Sequence, residues 1–210
     1  MKKYELTSEK KVFDGVELHR IKALESFRIV EKGELGGWIE SEKNLSQDGD
    51  AWVFDNAKVR GNATIRGDAW VFDNAEVSGN AIVNENAVVF ENATVSGKAT
   101  VGGKATVGGN AKVRGNATVE DKAKVRGNAT ISGNAVVSGK EDYIVFKNWW
   151  SSGRYFTWTR SNNKWKVGCF YGSGEELIAK AYKDSEKSGR EYERIVKYVE
   201  SILQEEKKRR

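Results

Sequence analysis

At 210 residues, 39% of them hydrophobic, the chain can bury a real core in one or two domains. Its single cysteine, Cys169, excludes an internal disulfide framework; no apolar run approaches the roughly 18 residues that span a bilayer, and MKKYELTSEKK lacks the apolar core of a signal peptide, so a cytoplasmic location is expected. The net charge of +5 is mild and partly resides in Lys207–Arg210, which reads as a helix end or solvated tail rather than a nucleic-acid patch.

Residues 1–48 are charged and mixed and read as an N-terminal capping segment. VELHRIKAL has strand character and carries the only histidine, His19, expected to be a packed or surface residue. Gly36-Gly37 before Trp38 suggests a tight turn that lays an aromatic lid on whatever follows.

From residue 49 to 140 the chain keeps a six-residue period. Fifteen alanines recur from Ala51 to Ala135 without a miss, each followed two positions later by Val or Ile. Pairs such as Gly-Asn and Asp-Asn precede most of them and tolerate the left-handed backbone of a turn. One such strand-and-turn cannot bury its apolar side alone, but stacked coils about 4.8 Å apart can. Three hexads close a triangular coil of 18 residues, so fifteen make five coils. The absence of proline suits a ladder that uses every backbone N–H.

Reading at 18 residues breaks the symmetry. AWVFDNA occurs at Ala51–Ala57 and again at Ala69–Ala75, and AVVFENA follows at Ala87–Ala93. With Val53, Val71 and Val89 inward, Trp52, Trp70, Phe54, Phe72 and Phe90 make an exterior stripe that ends at Gly108. Such a patch marks contact with another surface. A subunit interface is expected, with burial under the chain's own ends and a ligand platform as alternatives. Asp55, Asp73 and Glu91 form an acidic column, read as hydrated turns before a metal site.

Residues 141–210 read as a C-terminal α+β domain of three strands and two helices, the helices covering Glu175–Ser185 and the chain from about Ser188. Arg154, Arg160, Lys164 and Lys166 interleave with aromatics that include Trp158, chemistry suited to stacking a base and pairing a phosphate. The plainer alternative is an aromatic core with solvated charges outside. Cys169 is expected to be buried in its strand.

The hexads GNATIR, DNAEVS and GKATVG resemble the hexapeptide-repeat, left-handed parallel β-helix family. That resemblance implies a mainly β fold of about five triangular coils, with an N-terminal β cap and a small C-terminal β-sheet plus two-helix domain, and assembly as a trimer. GELGGWIESEKNLS and the GCFYGSGEEL junction look like hexapeptide-repeat proteins of bacteriophages and prophages, which would place the chain in a host cytoplasm. Acyltransferases of the repeat family use an imidazole as general base, and the repeat holds none. The related carbonic anhydrases need three histidines on zinc. A non-enzymatic binding protein is therefore expected, capturing a host protein or an anionic nucleotide signal as a counter-defence protein, with no cofactor or metal. The alternatives are a divergent acyl- or nucleotidyltransferase and a structural module of a virion.

Overall fold

The computed structural model describes residues 2–209. An antiparallel hairpin of β1 (Tyr4–Phe13) and β2 (Val16–Ala23) leads into β3 (Leu35–Ile39). Fifteen two-residue strands follow, β4 (Trp52–Val53) to β18 (Val136–Val137), one in each hexad. They stack in parallel register as three faces of a β-solenoid. The aromatic face is β4-β7-β10-β13-β16 and the third face β6-β9-β12-β15-β18. The extended face, β5-β8-β11-β14-β17, continues outward through β3, β2 and β1 into an eight-stranded sheet.

The solenoid makes about six turns. The extra one precedes Ala51 and is not spelled in hexads. Trp38 and Ile39 pair in parallel with Lys58 and Val59, and Leu45 bridges Ile65. Gly36 and Gly37 let this strand lie on the first coil, because a Cβ at Gly36 would stand 2.6 Å from the Val53 carbonyl oxygen and one at Gly37 2.7 Å from that of Phe54.

Period and burial agree throughout the repeat. Every hexad Ala and every Val or Ile two positions on is fully buried. Each such Val or Ile contributes roughly 1.5–3 kcal/mol when removed from water. At the turns, Asp55, Asp73, Glu85, Glu91 and Asp121 take the left-handed backbone that glycine adopts elsewhere, with φ of 51–57°. The next coil explains the choice. Asp55 accepts the Asp73 N–H at 3.3 Å, Asp73 accepts that of Glu91 at 3.0 Å, and Glu91 accepts that of Gly109. The acidic column therefore stitches successive turns together, offsetting the steric cost of φ > 0.

The coils are polar along their stacking axis. Three N–H groups in a hexad donate to carbonyls of the following coil, as Trp52 does to Ala69, Phe54 to Val71 and Asn56 to Asp73. The first coil thus begins with unclaimed carbonyls and the last ends with unclaimed N–H groups, which cannot stay buried unpaired. At the leading end the ammonium of Lys3, only 2% exposed, donates to Gly49 O and Ala51 O at 2.9 and 3.0 Å. The buried amide of Asn44 donates to Gly61 O and Ala63 O at 3.0 and 2.9 Å. Backbone N–H groups of Trp38, Glu40 and Ser46 serve Ala57, Val59 and Ile65. At the trailing end the partners are acceptors. Thr157 Oγ1 takes the Thr130 N–H at 2.9 Å, Ser161 Oγ that of Val136 at 2.7 Å, and Asp142 those of Ser138 and Gly139.

The trailing cap is a four-stranded antiparallel sheet, β19 (Tyr143–Lys147), β20 (Tyr155–Thr159), β21 (Lys164–Val167) and β22 (Phe170–Gly172), under α1 (Gly174–Asp184) and α2 (Glu186–Arg209). Three strands are expected from sequence. The fourth arises where Gly168, at φ 54°, turns the chain back. Cys169 lies in that turn and is exposed, not buried in a strand. Ser173 and Glu176 close a capping box at the start of α1. Trp150, Phe156, Trp158 and Trp165 fill the core with Leu177, Tyr192, Val196 and Val199 from the helices. No helix among the described residues is long and apolar enough to cross a membrane.

Candidate functional site

The outward column of the aromatic face runs Trp52, Trp70, Val88, Thr106, Lys124. Its first member is not exterior at all. Trp52 is fully buried, with Tyr4 and Phe27 edge-on at ring-centroid distances of 6.1 and 5.4 Å. The N-terminal segment supplies both rings, so for Trp52 the chain's own end occupies the place expected of a second subunit.

Below it the face opens into a groove. Phe27 and Val30 close a tight turn by exchanging two backbone hydrogen bonds, with Arg28 left-handed at φ 47°. That turn holds Arg28 over the Trp70 ring at 5.1 Å, with Nη1 donating to Asp68 O at 3.3 Å. Ile29 stays 65% exposed at the rim. On one side of Trp70 lies an apolar hollow of about 240 Å³ lined by Ile29, Phe54 and Phe72. Trp70 also lines a hollow of about 300 Å³ bordered by Arg28, Asp68, Asn86, Val88 and Lys104. The indole Nε1 of Trp70 and, two coils down, the hydroxyl of Thr106 are buried without a hydrogen-bond partner.

The stripe stops at Gly108 for a steric reason. Phe72 and Phe90 stack at 5.4 Å, and a Cβ at position 108 would stand 2.5 Å from Phe90 Cζ. The Phe90 ring thus lies over the glycine of the next coil, and Arg126 covers it at 5.2 Å. Phe54, Phe72 and Phe90 are half-buried.

The structure disperses the basic–aromatic set of the C-terminal domain. Trp158 is 1% exposed, its Nε1 donating to Asn163, which leaves no ring face for a base. Arg160 forms a two-pronged pair with Glu206 at 2.6 and 3.2 Å and donates to Glu141 O. Lys166 donates to the carbonyls of Gly168 and Phe170, and burial pulls its ammonium below the usual lysine range. Lys164 approaches Glu176 at 3.9 Å. Arg154 is exposed, with its guanidinium unpaired among the described residues. The exposed rings of this domain are instead Trp149, Tyr155, Tyr171, Tyr182 and Tyr198.

His19 sits on β2, on the extended face rather than the aromatic one, with Nε2 3.6 Å from Glu17 Oε1. Lys10 hydrogen-bonds Glu17 and holds its carboxyl below the ordinary range. Among the described residues no three carboxylates, histidines or cysteines gather as a metal site.

No protein-family model matches the chain. A protein of Escherichia coli (strain K12) named uncharacterized acetyltransferase YdcK is 39% identical over 74 residues, 31% of this chain and 23% of that protein. The match therefore covers less than a quarter of the relative's length. It overturns the expectation of a non-enzymatic protein, which treated the want of a repeat histidine as decisive. The relative is named for acyl-transfer chemistry, and a base can reach a site from outside the repeat. The phage resemblance gains no support from it, nor does the counter-defence role.

Proposed function

We propose that this chain is an acyltransferase whose acyl donor lies in the groove of the aromatic face. The similarity to a protein named an acetyltransferase, in a chain built of hexad coils, carries the reading. The groove suits an extended acyl thioester. Trp70, Val88 and the Phe54–Phe72 hollow would take its apolar arm. Arg28 and Lys104 would pair with anionic groups at its far end. The acceptor's amine or hydroxyl attacks the thioester carbonyl, the thiolate leaves, and a base takes the nucleophile's proton.

That base is His19, the chain's only imidazole, with Glu17 beside it to stabilise the imidazolium. Because His19 and the groove occupy different faces, the histidine comes from a neighbouring copy. The reading thus requires an oligomer, expected to be a trimer, with the half-exposed rings at the contact.

The test is release of free thiol from acetyl-CoA in the presence of small amine and hydroxyl acceptors, using a Cys169→Ser background so that the exposed thiol does not react with the reagent. Acceptor-dependent release that falls at least tenfold in His19→Ala supports the reading. No release with any acceptor, or full activity in His19→Ala, contradicts it.

A further inference from the structure

A second cavity, of about 250 Å³, lies in the trailing cap, between the 148–154 loop and the corner where α1 meets α2. We infer that it binds a small anion carrying a phosphate or carboxylate at one end and a hydroxyl or amine donor at the other.

Three charged residues line the cavity: Arg154, Lys180 and Asp184. None of their side chains has a hydrogen-bond or ion-pair partner among the described residues. Elsewhere in this domain some charges are engaged, as in Arg160–Glu206, Arg190–Glu186 and Lys197–Glu193. Others, such as Glu175, Lys183 and Lys187, are exposed without a partner among the described residues. Arg154, Lys180 and Asp184 differ in surrounding one hollow. Free cations and a free carboxylate around one hollow are a complementary set waiting for a ligand. The two cations fit a phosphate or carboxylate, with the guanidinium able to bind both oxygens at once. Asp184 accepts from the donor at the other end, and Ser151, Ser152 and Ser188 offer hydroxyls to either. The surplus of one positive charge selects for a net anion.

The wall carrying Arg154 is held in place. Asn148, 6% exposed, donates its amide to the Tyr192 hydroxyl at 3.0 Å and accepts the Ser151 N–H at 2.9 Å. Its backbone exchanges with Arg154 O and the Gly153 N–H, both at 2.8 Å. The loop is therefore tied to α2 before any ligand arrives, which lowers the ordering cost of binding. The volume, below that of most drug-sized sites, favours a small metabolite.

Trp150 reports on the cavity, because its ring meets that of the lining residue Tyr192 at 4.9 Å. Tryptophan fluorescence of the full chain, titrated separately with glucose 6-phosphate, glutamate and inorganic phosphate, tests the assignment. Saturable change with a compound bearing both ends, weakened at least tenfold by Arg154→Gln and by Asp184→Asn, supports it. Unchanged binding of glucose 6-phosphate and glutamate in Asp184→Asn, or bare phosphate binding the parent chain as tightly as either, overturns the two-ended reading. So does the want of any saturable response at millimolar concentration. Groove variants such as Trp70→Ala leave this binding unchanged, so its failure is separable from failure of the acyl-transfer reading.

Discussion

The two ends of the solenoid meet opposite chemical needs with opposite residues. The leading end presents carbonyls and is closed by donors, the Lys3 ammonium and the Asn44 amide. The trailing end presents N–H groups and is closed by acceptors, Thr157, Ser161 and Asp142. A parallel ladder has direction, so its caps are not interchangeable. Each cap also makes a hollow that the coils alone lack. The Arg28 turn forms one side of the groove, and the 148–154 loop shapes the cavity beneath the helices.

Substitutions can break this comparison, and the largest effect lies in the middle, where neither cap can help. Val89→Asp puts an unpaired carboxylate among fully buried Ala and Val, at a cost above 4 kcal/mol. No cooperative melt in circular dichroism is the expected result. Next comes Asn44→Asp, a change of nearly equal shape that strips both donors from Gly61 O and Ala63 O. At about 1–3 kcal/mol for each stranded acceptor, it should lower the melting temperature by roughly 10 °C. Thr157→Val strands one N–H, that of Thr130, and should cost about half as much. Equal melting temperatures for these two variants and the parent would refute the account of the caps.

The smallest effect is a pH slope. Burial, with Lys58 and Arg20 nearby, pulls the Lys11 ammonium down to about 8, and burial lowers that of Lys3. Between the folded value and the ordinary 10.5, the unfolded chain binds more protons than the folded one. These lysines therefore make stability rise as pH climbs through that window. Tyr4 opposes them only near its ordinary 10.0, because burial raises its hydroxyl in the fold. Melting temperatures at pH 7.5 and 9 should differ less in Lys11→Gln than in the parent chain.

Much of the fold is legible because the hexads repeat a local rule: Ala51 and its successors, the Val two positions on and the turn residues need no distant partner to be understood. What escapes depends on residues far apart. Trp52 reads as exterior from its register and is buried by Phe27, 25 positions earlier. The leading turn around Trp38 has no hexad spelling, and Gly36-Gly37, which read as a tight turn, lie within the extended strand β3. Lys3 and Asn44 pass for ordinary polar residues until the carbonyls they serve are in place. In the trailing cap, alternation reveals β19 to β21 but cannot say which basic residues are spent. Arg160 reaches Glu206 across 46 positions. Lys166 folds back on its own turn, and of the five residues first singled out Arg154 alone lines the cavity with its charge unspent.

The central claim is that groove and imidazole come from different copies. Mixing two inactive variants tests it most directly: His19→Ala, with an intact groove, and Trp70→Ala, with an intact imidazole, and again with Arg28→Gln as the groove variant. After subunit exchange the account predicts recovery toward about a quarter of parental thiol release, as random mixing at a head-to-tail interface allows. A mixture that stays inactive, while both variants melt like the parent and exchange subunits, would contradict it.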